Sequence, residues 1–170
     1  MAAEIPRQIR TAVLERAQGQ CEYCQKPDDR ELNFYRHEVD HVIAEKHGGK
    51  ATLENLAYAC FQCNRYKGTD IASLDPQTGM LSQLFNPRVQ QWHDHFQLNT
   101  DGTITSLTSV ARTTAALLRF HDPLRVQTRL YHFCGLRHCK YASSENVLRL
   151  NLRCSSCFWP TPPHPDSGGL

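Results

Sequence analysis

Two CxxC pairs constrain this chain more than any other feature of its sequence. Cys21 and Cys24 form the first pair, and Cys60 and Cys63 form the second. Four thiolates from two such pairs suit a tetrahedral Zn²⁺ site, which leaves no ligand position for water or substrate. The alternatives are disulfides or four unrelated buried thiols, but no signal peptide precedes the first pair. We therefore expect a structural zinc ion in a protein of the reducing cytoplasm.

The segment between the two pairs predicts a strand, a loop, a second strand and a short helix. Residues 37–43 read HEVDHVI and suit an extended strand, and the two glycines at 48–49 mark a turn. The apolar run LAYAC suits a return strand. NRYKG then suits a short helix that ends at Gly68.

Inside this frame stand Asp40-His41 in VDHVIAEKHGG, Asn55 in TLENLAYAC and Asn64 in CFQCNRYKG. From about Cys21 to Gly68, these motifs resemble the HNH endonucleases, in the branch whose core is clamped by two zinc-binding CxxC pairs. The resemblance implies an α+β fold with a small zinc-clamped ββα-metal core, an N-terminal helix and a mixed C-terminal extension. A looser similarity to the accessory region of bacterial members continues through LFNPRVQQWHDHF and DGTITSLTSVARTTAALLR.

The resemblance also implies a role for each residue of the motif. Asp40 and Asn64 would hold one divalent ion through carboxylate and amide oxygens, which favours Mg²⁺ or Mn²⁺. Many family members carry histidine where this chain has Asn64, and the amide favours hard ions over Ni²⁺ or Zn²⁺. His41 would be the general base, since a neutral imidazole can take a proton from the attacking water. Asn55 would be no ligand but would tie the loop to the strand and orient the imidazole.

Taken singly, these residues have ordinary structural explanations. Asp40-His41 could be a hydrogen-bonded surface pair, and Asn64 could be a helix cap. Neighbouring residues of an ideal strand point to opposite faces, so Asp40 and His41 can share a site only at a bulge or a strand end. Several residue types at matching offsets inside a zinc frame nevertheless favour the catalytic interpretation. Arg65 and Lys67 are candidate nucleic-acid contacts, or simply solvated residues of a short exposed helix.

Two function classes follow from this pattern. The first is a metal-dependent endonuclease that hydrolyses phosphodiester bonds in DNA, with double-stranded DNA as the expected partner. The alternative is a zinc-knuckle module that binds nucleic acid without cleaving it. A net charge of +2 at pH 7 permits nucleic-acid binding but does not demand it. The target sequence, the biological role and the oligomeric state are not encoded in any pattern that we can interpret.

We expect three regions along the chain. Residues 1–75 form the HNH nuclease domain with its structural zinc, including a first helix whose apolar positions recur every four residues. Residues 76–131 form an accessory region that packs on the core, and residues 132–170 form a partly disordered, cysteine-containing tail. Whether the tail binds a second zinc ion is left undecided by its sequence; the candidate ligands are Cys134, Cys139, Cys154 and Cys157. No apolar run is long enough to span a membrane, so no membrane partner is expected.

Overall fold

The computed structural model describes residues 5–29 and 34–133. The α-helices and strands, in chain order, are α1 (Arg7–Ala17), β1 (Glu38–His41), β2 (Leu56–Ala59), α2 (Phe61–Lys67), β3 (Ala72–Leu74), β4 (Leu81–Gln83), α3 (Trp92–His95), β5 (Phe96–Leu98), β6 (Ile104–Ser106), α4 (Ser109–Leu117) and α5 (Pro123–Phe133). A short 3-10 helix (Glu45–His47) lies between β1 and β2. This mixed α+β architecture confirms the predicted fold class. The predicted partly disordered tail, residues 132–170, lies outside the described part of the chain except for residues 132–133, which end α5, and the candidate second zinc site lies wholly outside it.

Helix α1 packs on the β1–β2 hairpin through a narrow apolar face. Pro6 precedes the helix, where its missing N–H costs no hydrogen bond. Val13 and Ala17 are buried one turn apart, and they share a cluster with Leu56 and Tyr58 of β2. The helix ends at Gln18 in a left-handed conformation. The four-residue apolar period of the sequence therefore predicts the buried face of α1 correctly.

Strands β1 and β2 pair antiparallel without a bulge. Glu38 lies opposite Ala59, and the register continues unbroken to His41 opposite Leu56. Beyond His41 the backbone leaves the ladder, although the N–H of Val42 still donates to the carbonyl of Asn55 at 2.8 Å. Asp40 and His41 could share a site at a bulge or at a strand end, and the chain has the strand end.

Helix α2 follows β2 directly and completes a ββα unit. The sulfur of Cys60 accepts a hydrogen bond from the backbone N–H of Cys63 at 3.4 Å, so the second CxxC pair also caps the helix. The last helical residue is Lys67 and Gly68 is the C-cap, which is where the sequence predicts the end of the helix. It begins at Phe61, earlier than the NRYKG motif indicates, because the cysteine cap lies upstream of that motif.

The accessory residues surround the cysteine cluster with apolar side chains. Two hairpins, β3–β4 and β5–β6, precede α4, and the side chain of Thr108 caps α4 by accepting from the N–H of Ala111 at 3.2 Å. The buried cluster that holds the cysteines of both CxxC motifs also includes Phe85, Phe96, Ile104, Ala111, Ala115, Leu118 and Phe120. The indole N–H of Trp92 donates to the carbonyl of Tyr23 at 3.0 Å. The region boundaries at residues 75 and 131 stay predictions.

Helices of the described part of the chain are too short or too polar to cross a bilayer.

Candidate functional site

The four cysteines of the two CxxC pairs converge on one point. Their sulfur atoms all lie within 4.8 Å of one another, and all four side chains are buried. The sulfurs of Cys24 and Cys60 are 3.8 Å apart, and all four cysteines are free rather than disulfide-bonded. Sulfurs bound to one tetrahedral Zn²⁺ at about 2.3 Å are about 3.8 Å apart, so the spacing fits a zinc centre. The cluster therefore has the composition, burial and geometry of a closed metal site.

A separate open cavity of about 390 Å³ lies at the end of strand β1. Its wall includes Asp40, His41 and Asn64, which come from β1 and α2. The remaining lining residues are Val39, Ala44, Glu45, Lys46, Gly68 and Thr69. Asp40, His41 and Asn64 are thus brought to one solvent-connected cavity, away from the closed cysteine cluster.

Asp40 is buried and held from two sides. Its Oδ2 accepts a hydrogen bond from the hydroxyl of Tyr23 at 3.0 Å and lies 3.1 Å from the ammonium of Lys67. Burial raises the pKa of Asp40 above its ordinary value, while the charge of Lys67 and these hydrogen bonds oppose the rise. The carboxylate is therefore fixed in position, and it can accept further contacts because its two oxygens offer about four lone-pair sites.

Asn64 is oriented by an acidic residue on the same strand as Asp40. Its amide Nδ2 donates to Oε2 of Glu38 at 2.6 Å. Glu38 and Asp40 are two residues apart on β1, so both project from one face of the strand. The bond to Glu38 uses the nitrogen of the amide, and the oxygen, which is the atom that binds hard cations, is not needed for it.

His41 has a buried ring nitrogen that lacks a protein partner. Nε2 of His41 makes no hydrogen bond within residues 5–29 and 34–133. A buried polar atom without a partner is uncommon and calls for a ligand, a water molecule or a catalytic role. The backbone carbonyl of the same residue accepts from Lys67 at 2.7 Å, which fixes the end of the strand beneath the ring.

Asn55 closes the loop that follows β1. Its Oδ1 accepts from the N–H of Ile43 at 2.9 Å, and its Nδ2 donates to the carbonyls of Ile43 at 2.9 Å and Lys50 at 3.0 Å. The two contacts to Ile43 lie two residues beyond His41, so Asn55 holds the backbone that follows the imidazole, and it does not line the cavity. A Cβ on Gly49 would come within 1.7 Å of the Ile43 carbonyl oxygen, so the loop requires glycine there.

Arg65 and Lys67 differ sharply in their surroundings. Arg65 is exposed, as the sequence suggests for a short surface helix. Lys67 is only 2% exposed, and its ammonium contacts Asp40 and the carbonyl of His41. Lys67 thus lies inside the site, behind the carboxylate. Its side chain has no free surface for a phosphate in this arrangement.

Sequence reasoning did not identify Tyr23, Glu38 or Arg125, although all three contact residues of the two sites. Glu38 could have been found, because it shares the strand face of Asp40. Tyr23 lies between the first two cysteines, and no local pattern marks its bond to Asp40. Arg125 donates to the sulfur of Cys63 across 62 residues of sequence.

The segment that holds both sites also matches a known protein family. A family model described as HNH endonuclease matches residues 21–70, which include both CxxC pairs and the ββα unit. No curated protein and no solved structure matches the chain. The matched segment contains both halves of the cysteine cluster and the nuclease-type ββα unit formed by β1, β2 and α2. Residues 21–70 of this chain are therefore similar to the HNH endonuclease family.

Proposed function

We propose that this protein is a metal-dependent endonuclease that hydrolyses phosphodiester bonds in double-stranded DNA. Asp40 and Asn64 hold one divalent ion, Mg²⁺ or Mn²⁺, and His41 is the general base. The observation that carries the proposal is the single cavity lined by all three residues, including His41, whose Nε2 has no hydrogen-bond partner among the described residues. The match of residues 21–70 to the HNH endonuclease family supports the same reaction class.

The donor set fits a hard cation. A carboxylate from Asp40 and an amide oxygen from Asn64 are the ligand types that Mg²⁺ and Mn²⁺ prefer, and the open cavity leaves room for water and a phosphate. When bound, such an ion neutralises charge on the phosphate and stabilises the leaving oxygen. Glu38 orients the amide of Asn64, and Tyr23 with Lys67 fixes the carboxylate of Asp40.

His41 accepts the proton of the attacking water in this proposal. A neutral imidazole nitrogen can do so near pH 7 when it lies within hydrogen-bond distance of the water. Asn55 acts on the reaction only through the backbone, because its three hydrogen bonds fix the residues that follow His41. Zn²⁺ in the cysteine cluster has a structural role, since four thiolates fill its coordination sphere.

Arg65 is the better of the two candidate DNA contacts. It is exposed on the same helix as Asn64, and its side chain can reach a phosphate without breaking an ion pair to another described residue. Lys67, in contrast, acts as the countercharge of Asp40. Phosphate contacts of this kind position the duplex and carry no sequence information by themselves.

One observation favours the alternative, a zinc-knuckle module that binds DNA without cutting it. The ammonium of Lys67 already neutralises Asp40 at 3.1 Å, as it would in a site that had no need of a divalent ion. The two functions predict different results when the protein is mixed with DNA with and without Mg²⁺. A binding module shifts DNA in a gel at the same strength with and without Mg²⁺, and it leaves the DNA intact.

The decisive experiment is cleavage of supercoiled, linear and single-stranded DNA and of RNA by the purified zinc-loaded protein, with Mg²⁺, with Mn²⁺ or with no added divalent ion. We expect nicking or cutting of duplex DNA that requires the added ion. His41→Ala should abolish cleavage and leave zinc content unchanged, whereas His93→Ala, an exposed histidine on α3, should cleave like the parent. Equal cleavage rates for His41→Ala and the parent would overturn the assignment of the base.

A further inference from the structure

With Zn²⁺ bound, the cysteine cluster would still carry a net negative charge. Four thiolates around one Zn²⁺ leave two net negative charges, and all four sulfurs are buried in an apolar cluster that includes Phe85, Phe96 and Phe120. Burying uncompensated charge among apolar side chains is costly, so a centre of this kind needs cationic or hydrogen-bonding neighbours.

A buried arginine of helix α5 meets this need. Arg125 is only 1% exposed, and its Nη2 donates to the sulfur of Cys63 at 2.8 Å and to the sulfur of Cys60 at 3.7 Å. The other terminal nitrogen, Nη1, donates to the carbonyls of Leu118 and Arg119 at the end of α4. The guanidinium therefore bridges the second CxxC pair and the C-terminus of a helix.

A second buried arginine lies one turn further along α5. Arg129 donates to the carbonyl of Gly102 at 2.7 Å and to the carbonyl of Phe120 at 2.6 Å. It makes no hydrogen bond to a sulfur within the described residues, but it places a second positive charge in the same buried region. Arg129 is thus a buried guanidinium on the same helix that bonds to backbone carbonyls and not to a sulfur of the described residues.

The backbone around Arg129 leaves little freedom for α5 to move. A Cβ on Gly102 would come within 2.4 Å of the Val126 carbonyl oxygen and 2.9 Å of the Leu130 nitrogen. Gly102 also has a positive φ of 80°, which glycine adopts without strain. Close packing at this point fixes the helix that presents Arg125 to the cysteines.

We propose that Arg125 is a positioning residue of the zinc centre, whose guanidinium donates a hydrogen bond to the Cys63 thiolate and thereby retains the bound Zn²⁺. The accessory region would then be part of the metal site, although it contributes no ligand to it. This inference concerns the structural zinc and does not depend on DNA cleavage.

The test compares Arg125→Met with Arg129→Met in the full chain. Both remove an equally buried guanidinium from the same helix, but only the first removes a hydrogen bond to sulfur. Transfer of Zn²⁺ to a coloured chelator should become about 10-fold faster or more in Arg125→Met, because loss of a partner of a metal ligand typically lowers metal affinity by about 10- to 100-fold. Arg129→Met should change the rate by less than about 3-fold. Equal rates for both variants would overturn the proposal.

A spectroscopic reading separates the hydrogen bond from general destabilisation. Exchange of Zn²⁺ for Co²⁺ gives a sulfur-to-metal charge-transfer band, and loss of a hydrogen bond to a thiolate should move this band to lower energy. We expect the shift in Arg125→Met and a smaller one in Arg125→Lys, which keeps a cationic donor. An unchanged band in a folded Arg125→Met protein would overturn the proposal.

The parent protein offers a measurement that needs no variant. The four cysteines are equally buried, so their rates of alkylation in the metal-loaded protein, resolved by mass spectrometry, report the reactivity of each thiolate. We expect Cys63 to react last, because its sulfur carries the short guanidinium bond. Faster alkylation of Cys63 than of Cys21 would overturn the proposal. Parent protein without bound zinc would overturn both the zinc site and the role of Arg125, whatever the result of the cleavage assay.

Discussion

The ammonium of Lys67 lies 3.1 Å from the carboxylate of Asp40, and both side chains are almost completely withdrawn from solvent. This ion pair joins the last turn of α2 to strand β1, at the wall of the cavity that contains His41 and Asn64. Helix, strand end and cavity are therefore coupled through one buried contact.

Removal of the lysine should strongly destabilise the fold. Lys67→Met leaves the buried carboxylate of Asp40 without its countercharge, which typically costs about 3 kcal/mol or more. Urea denaturation of the zinc-loaded protein measures the loss. Arg65→Met, an exposed change on the same helix, should alter the free energy of unfolding by less than about 0.5 kcal/mol. The double variant Asp40→Asn/Lys67→Met should recover part of the loss, and a strictly additive result would contradict the ion pair.

Asn55→Asp should impair the reaction without removing zinc. The carboxylate keeps the acceptor for the Ile43 N–H but loses both donated bonds and places charge against two carbonyl oxygens. We expect kcat to fall by about 10-fold or more, because the backbone beside His41 loses its fixed position. Zinc content should equal that of the parent. Glu54→Gln, an exposed change at the preceding residue, is the control. Parent-like kcat in Asn55→Asp would contradict the positioning role.

Two adjacent glycines should respond differently to alanine. Gly49→Ala forces a methyl group onto the Ile43 carbonyl, so the loop must shift, with an expected loss of about 3 kcal/mol of unfolding free energy. Gly48 has a φ of 84°, and a Cβ there would meet no heavy atom of the described residues within 4 Å apart from its chain neighbours. Gly48→Ala should therefore cost only about 1 kcal/mol of backbone strain. Thermal and urea denaturation of both variants measure the difference. A larger loss for Gly48→Ala would be inconsistent with the close approach at Gly49.

Asp75 should contribute to the loss of stability in acid. Its two carboxylate oxygens accept from Arg112 at 2.9 and 2.6 Å, and this pairing, with backbone and hydroxyl donors, lowers the pKa of Asp75 to about 2. Because the folded pKa lies below the value of about 3.9 in an unfolded chain, the contribution is present above pH 4 and is lost as the pH falls toward 2.

Arg112→Met provides the measurement of this effect. The variant should be less stable than the parent at pH 7, and the difference in urea midpoint should shrink between pH 4 and pH 2. Arg7→Met, an exposed change on α1, should follow the parent at every pH. A difference that stays constant down to pH 2 would show that the carboxylate of Asp75 does not titrate in this window.

Local features of the sequence predict the elements that build the site. The CxxC spacing predicts the cysteine cluster, since each pair can place two sulfurs on one ion whatever the rest of the chain does. The run around Asp40-His41 and the glycine at position 68 predict strand β1 and the end of α2. These are short-range effects, in which neighbouring residues alone decide the backbone geometry.

The burial of individual side chains and their partners far away in the sequence could not be predicted in this way. The helical period places Lys67 on the same face as Asn64, but only the packing of α2 on β1 decides that this face buries an ion pair instead of presenting a lysine to DNA. Arg125 reaches Cys63 because α4 and α5 fold back on the cluster. The cysteine frame, its two strands and its helix depend on spacing and local propensity, and so they can be predicted from neighbouring residues. Which charges are buried against each other depends on contacts between residues far apart in the chain, and so it follows only from the folded arrangement.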